Sequence, residues 1–275
     1  MSLQLDNTTE SAPPALAKSV IATTLNTETL LQLMNHEIGA IHIKNYVPKE
    51  VCEAVVPKTL EHPAMGHYHK LYTSSVGRIH MPHIDTRWDA IETKKYHDGA
   101  IAAIEEIREL FFPYISPIDK LRLLLQEYWP AGANLARFRN RACFVGACRV
   151  MQPKKSFFYP HNDHIVQETD APEIEGLIEQ FVANAYLQVP EEGGDLHLWL
   201  RNPTPKEKEA ILDVEGLLPE TIEPPRLVIH PEPGDLIICS SVMLHAVTPV
   251  ETTHRVCMAS FIGCKGPDQP LMYWS

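Results

Sequence analysis

The stretch Tyr159-Pro160-His161-Asn162-Asp163-His164 decides how this sequence is read. Successive side chains on an extended chain alternate between faces, so His161 and Asp163 project to one side and can grip a single metal ion together. His164 has the opposite parity and is read as a neighbouring or surface residue. A third ligand has to come from another strand. His245 is placed to supply it, 84 residues on, directly after the apolar run Leu236–Cys239 and just before Thr248-Pro249. Two histidines and one carboxylate on one face leave the opposite coordination positions open.

Working outward, Arg255 follows His245 by ten residues and opens the last apolar run. A guanidinium clamps a carboxylate through two parallel hydrogen bonds. The donor set is the facial triad of non-haem iron(II) sites, and a 2-oxo acid chelating such an iron leaves its far carboxylate for Arg255. Arg149 lies on the run leading to the metal motif and Tyr186 on another core run. Either can reach the oxo acid or the substrate, and either can be structural. Trp199, at strand parity with His197, reads as core more than as a substrate platform, and His254 as outward-facing.

From Ala136 on, short apolar runs are separated by turn residues: 143–151, 182–189, 195–200, 226–230, 235–239 and 255–262. Strands at this frequency, broken by Glu191-Glu192-Gly193-Gly194 and Pro231-Glu232-Pro233-Gly234, predict an antiparallel sandwich or barrel. Upstream, Asn26 caps a helix carrying Leu30, Leu31, Leu33 and Met34, and residues 40–47 alternate as a strand up to Pro48. Pro48-Lys49-Glu50 opens a second helix, 96–111 is a third, and Ser116-Pro117 starts a fourth that runs to about Tyr128. Residues 57–95 show no period and carry His67, Tyr68, His69, His80 and His83, which reads either as a lid over the open coordination face or as a packed loop. The expected organisation is a flexible arm over 1–25 and a single catalytic domain over 26–275. Within that domain, 26–130 form a helical layer with the lid loop, and 135–265 form the β core.

Composition excludes other classes. The chain has 275 residues and a formal net charge of −11, without a basic block, which argues against a nucleic-acid partner. No run is long and apolar enough for a membrane span, and the N-terminal residues lack the pattern of a secretory signal. The six cysteines form no C-x-x-C pair and are read as reduced thiols of a cytoplasmic protein.

The ordered set His161-Asn162-Asp163, Tyr186-Leu187-Gln188-Val189-Pro190, Gly193-Gly194-Asp195-Leu196, Pro233-Gly234-Asp235-Leu236, His245-Ala246-Val247-Thr248-Pro249-Val250 and Arg255 resembles the Fe(II)/2-oxoglutarate-dependent oxygenases. The layout, down to Tyr273-Trp274-Ser275, is also similar to the free-standing, carrier-independent halogenases of indole-alkaloid biosynthesis and their hydroxylase relatives. The resemblance implies a mostly β fold with α, a double-stranded β-helix (jelly-roll, cupin-like) core flanked by the N-terminal helical layer. It implies iron(II) held by His161, Asp163 and His245, with 2-oxoglutarate anchored by Arg255 and dioxygen as co-substrates. In those halogenases a small residue replaces the metal-binding acid so that chloride can enter, whereas Asp163 is present here. The expected activity is therefore hydroxylation of an unactivated C–H bond of a small molecule, an amino acid or natural-product intermediate, with 2-oxoglutarate decarboxylated to succinate. Desaturation, cyclisation or halogenation at the same iron, a non-catalytic ligand-binding barrel and a zinc hydrolase on the same donors are the alternatives.

Overall fold

The computed structural model describes residues 18–68, 75–214 and 216–275. The N-terminal part comprises β1 (Lys18–Ala22), α1 (Thr27–Met34), β2 (Ile38–Ile43), α2 (Lys49–Leu60), β3 (Met65–His67), β4 (Val76–Ile79), α3 (Ala90–Phe111) and α4 (Pro117–Tyr128). There follow β5 (Ala133–Leu135), β6 (Arg137–Phe138), β7 (Arg141–Ala142), β8 (Ala147–Met151), β9 (Phe158–His161), β10 (Glu179–Gln188) and β11 (Leu196–Leu198). The chain ends with α5 (Pro205–Val214), β12 (Leu227–Ile229), β13 (Leu236–Ser240), β14 (His245–Val247), β15 (Arg255–Cys264) and β16 (Leu271–Trp274).

Eight of these strands are shared between two sheets, and the chain crosses from one sheet to the other at every step from β8 to β15 except between β11 and β12. β8, β10, β13 and β15 lie together in a large sheet, in the order β13-β10-β15-β8, while β9, β11, β12 and β14 form a smaller one in the order β12-β11-β14-β9. All neighbouring pairs within these two groups are antiparallel. This crossing of the chain from sheet to sheet is the winding of a double-stranded β-helix. It brings the ends of β9, β14 and β15 to one mouth between the sheets.

The large sheet is buried on both faces because α2 packs on β10 and α4 on β15. Its strands therefore read as unbroken apolar runs, as in Leu236-Ile237-Ile238, each fully buried. The helices start where their caps require. The Asn26 side chain accepts from the Thr29 amide at 3.0 Å while the Thr29 hydroxyl accepts from the Asn26 amide at 3.1 Å, and Ser116 caps α4 with Pro117 in its first turn.

Three expectations are corrected. Residues 18–22, assigned to a flexible arm, form β1, which pairs in parallel with β2; residues 1–17 lie outside the described residues. The N-terminal part is not a layer of helices alone, since β1 and β2 extend one edge of the large sheet beside β13 and β4 and β3 extend the other beside β8. The aperiodic stretch 57–95 contains the β3–β4 hairpin and the first turns of α3, because a hairpin with three- and four-residue strands is too short to show a period. His69 lies outside the described residues. All six cysteines are free and buried, and among the described residues no helix is long and apolar enough to cross a membrane.

The Gly193-Gly194 turn joins the two sheets at the mouth. Gly193 has φ +78°, and a Cβ there would sit 1.8 Å from the Pro249 carbonyl oxygen, the group that accepts from the Gly194 amide at 3.1 Å. Only glycine fits a left-handed backbone this close to another strand. Gly193→Ala is expected to lower stability by at least about 2 kcal/mol in urea unfolding, and an unchanged midpoint and slope would contradict this packing.

Candidate metal centre and its cavity

β9 and β14 are adjacent in the small sheet, and His161 and His245 are direct register partners. Their rings lie 4.4 Å apart, centroid to centroid, both facing the large sheet. Each ring is fixed through its Nδ1, which lies 2.6 Å from the Tyr159 carbonyl oxygen in His161 and 3.0 Å from that of Met243 in His245. A carbonyl oxygen can only accept, so each Nδ1 carries its proton and donates it, leaving the Nε2 lone pair directed into the cavity. The two Nε2 atoms are 3.8 and 3.6 Å from Oδ2 of Asp163, and one ligand atom from each of the three residues lies within 4.8 Å of the others.

Asp163 reaches this position by a different route from the one strand parity suggests. β9 ends at His161, and Asp163 lies beyond it in a loop that the sheet core holds in place. Its amide donates to the Ser241 carbonyl at 2.8 Å, and its own carbonyl accepts from the Ser241 hydroxyl at 3.1 Å and the Gln180 carboxamide at 3.3 Å. The Gln180 carboxamide oxygen also accepts from the Ile165 amide at 2.8 Å, so one buried side chain ties the loop on both sides of the ligand. Gln180→Ala is expected to weaken cobalt(II) binding, followed by visible absorption, about 10–100-fold without unfolding the protein. Wild-type affinity in that variant would show that the loop needs no such tie. Among the described residues His164 is not one of the converging ligands, and the His254 backbone carbonyl accepts from the Gln188 carboxamide at 2.8 Å.

Across the cavity stands Arg255, the first residue of β15 and 3% exposed. It donates to the Tyr186 hydroxyl at 3.2 Å, and its other polar contacts are the sulfurs of Met151 at 3.5 Å and Cys257 at 3.7 Å. Its Nε has no hydrogen-bond partner, and among the described residues no carboxylate pairs with it. A buried guanidinium held only by a phenol and two sulfurs lacks the anion that would balance its charge. Arg149, on β8, lines the same cavity and donates from Nε to the Tyr68 hydroxyl at 3.0 Å. Burial pushes the Tyr68 and Tyr186 hydroxyls above the ordinary phenol range, so both stay neutral at physiological pH.

The cavity has an empty volume of about 820 Å³, mouth included, and its remaining walls are mainly apolar, among them Phe158, Val182, Leu196 and Phe261. A hollow with a few converging polar groups among apolar walls suits a small molecule. The aperiodic stretch gives it two wall residues, Tyr68 and Ile84. Two of its histidines are engaged elsewhere: His83 is buried and bonds Glu168 at 3.0 Å, and His80 lies 3.2 Å from Glu106, while His67 is exposed on β3 and does not line the cavity. Trp199 is buried against Ile211, Leu217 and Leu244 on the far side of the small sheet, and its indole donates to the Glu223 carbonyl. Sequence reasoning missed Gln180, which lies just before the apolar run 182–189, and Asn184 inside it, where polarity alone could have marked both.

The family described as carrier-protein-independent halogenase WelO5 matches residues 16–275. None of the curated proteins matches the chain in sequence. Among solved structures, the fold is similar to an N-substituted L-amino acid dioxygenase from Burkholderia ambifaria AMMD, at 14% identity and TM-score 0.58 over 90% of this chain and 91% of that one. The same dioxygenase in complex with alpha-KG gives TM-score 0.59 at 14% identity over the same shares. At this identity the likeness is one of fold.

Proposed function

The chain belongs to the carrier-protein-independent halogenase WelO5 family and is an Fe(II)/2-oxoglutarate-dependent oxygenase, and on that premise we propose that it hydroxylates an unactivated C–H bond of a small molecule. His161, Asp163 and His245 are the residues that hold the iron. Their fit rests on the donor set itself, with two imidazole Nε2 atoms freed by Nδ1 bonds to backbone carbonyls and one carboxylate oxygen within 4.8 Å of both. When bound, iron(II) with 2-oxoglutarate and dioxygen supplies the oxidant, and the oxo acid is converted to succinate.

The protein's residues bind and orient. Arg255 receives the distal carboxylate of 2-oxoglutarate, with the Tyr186 hydroxyl beside it. Phe158, Leu196 and Phe261 keep water from the reacting carbon and limit its positions. The observation that carries this reading is the unpaired, buried Arg255 in the same cavity as the triad; a zinc hydrolase or a passive binding barrel would leave that cation without a use. The described residues from β1 onward act as one catalytic domain, and the six free cysteines suit a reducing cytoplasm.

The family description favours a second reading, halogenation. Against it stands the Asp163 carboxylate, which lies 3.6 and 3.8 Å from the two Nε2 atoms and takes the position that a halide needs. The test is incubation with iron(II), 2-oxoglutarate, dioxygen and chloride, followed by mass analysis. Iron-dependent succinate and products that gain oxygen support the reading. Absence of succinate, or products carrying chlorine, would overturn it.

A further inference from the structure

The cavity contains one more cation than the oxygenase reading uses. Arg149 stands opposite Cys257 in the β8–β15 register, and Arg255 stands opposite Met151 one alternation away, so both stems rise from the same face of the large sheet. Arg149 spends only its Nε on a partner, the Tyr68 hydroxyl, and its two terminal nitrogens have no hydrogen-bond partner among the described residues. Its guanidinium carbon lies 5.7 Å from the centroid of Phe261. Arg78, directly across from Arg149 on β4, shows the contrast: it is already paired with Asp85 at 2.7 Å and bonded to the His80 carbonyl at 3.0 Å.

Charge decides what the open fork awaits. Among the described residues, the ionised groups lining the cavity are Arg149, Arg255 and Asp163. Iron(II) brings two positive charges and 2-oxoglutarate two negative ones, so the loaded cavity keeps one net positive charge. The neutral Tyr68 phenol does not cancel it. Arg149 is half-buried, a charge partly withdrawn from water is favoured when paired, and Arg255 is already assigned to the oxo acid.

We propose that Arg149, oriented by Tyr68, receives a carboxylate of the substrate, so that the enzyme acts on a small carboxylic acid, such as an amino acid or its N-acylated form, and not on a neutral molecule. The inference rests on the oxygenase reading, because the charge count includes iron and 2-oxoglutarate. The planar fork takes the carboxylate in two parallel bonds, while Phe158, Leu196 and Val247 face the apolar remainder.

Anaerobic titration calorimetry of the protein loaded with iron(II) and 2-oxoglutarate tests this without turnover. The probes are acid and amide pairs: phenylacetate and phenylacetamide, 3-phenylpropanoate and 3-phenylpropanamide, hexanoate and hexanamide, N-acetyl-leucine and its amide. At least one acid is expected to bind about tenfold or more tightly than its amide, and Arg149→Met is expected to reduce that preference to about twofold or less. Arg149→Lys keeps the charge and retains part of the preference, which provides a second reading should the methionine variant fail to fold. The affinity for 2-oxoglutarate is expected to be unchanged in both variants. No acid preferred over its amide, a preference surviving in Arg149→Met, or a weakened affinity of Arg149→Met for 2-oxoglutarate would overturn the proposal. Failure of the wild-type protein to bind 2-oxoglutarate at all would instead overturn the oxygenase reading on which it rests.

Discussion

Asp163→Ala is expected to reduce iron-dependent succinate formation by at least about 10³-fold and to leave the protein without iron after desalting, because removing partners one shell further out already costs 10–100-fold. The carboxylate oxygen is the only anionic donor of the three, so its loss removes charge neutralisation of the metal together with one bond. The fold is expected to survive. The loop is held through the backbone of Asp163, by Ser241 and Gln180, and these contacts do not use the carboxylate. Asp163→Glu restores the charge with a longer reach and is expected to recover a small part of the activity. Unaltered iron content and succinate formation in Asp163→Ala, measured together, would remove Asp163 from the site.

Arg255→Met is expected to raise the KM for 2-oxoglutarate by about 10²-fold or more, since truncating one partner of a buried charge pair costs roughly 2–5 kcal/mol. The rate at saturating 2-oxoglutarate is expected to fall far less, because Arg255 stands on the opposite side of the cavity from the iron ligands and orients the distal end of the oxo acid. Stability is expected to rise or stay level in the absence of ligand, as the substitution removes a cation whose polar side-chain partners among the described residues are a phenol and two sulfurs. Succinate formation followed across 2-oxoglutarate concentrations separates these effects. An unchanged KM would assign the distal carboxylate elsewhere, with Arg149 the remaining cation in the cavity.

The candidate metal ligands were legible because their chemistry is local and ordered. His161 and Asp163 are two positions apart, and the eighty-odd residues before His245 supply the strands that bring β14 back beside β9. The parity argument placed His161 and Asp163 on one side through a loop that it took for strand: Asp163 faces the histidines because Ser241 and Gln180 hold it there. Arg255, Arg149 and Tyr186 were each recognisable as candidates, and all three converge from adjacent strands of the large sheet, Arg255 and Arg149 lining the cavity and Tyr186 bonding Arg255. The mostly β character of the C-terminal half followed from its apolar runs and turns. Less legible were β1, β3 and β4, strands of three to five residues at the margins of the large sheet, too short to show a period. α5, among the acidic and basic residues 205–214, also left no apolar face long enough to read. Gln180 has no chemistry of its own to draw notice beside Glu179, and only the packed structure shows it holding the loop of Asp163.

The most direct test of the central claim is an anaerobic absorption titration of the wild-type protein with iron(II) and 2-oxoglutarate. The two together are expected to produce the visible metal-to-ligand charge-transfer band of a 2-oxo acid chelated to iron(II), absent with either alone and lost in Asp163→Ala. No band in the wild-type protein, or an undiminished band in Asp163→Ala, would contradict an iron centre built from His161, Asp163 and His245.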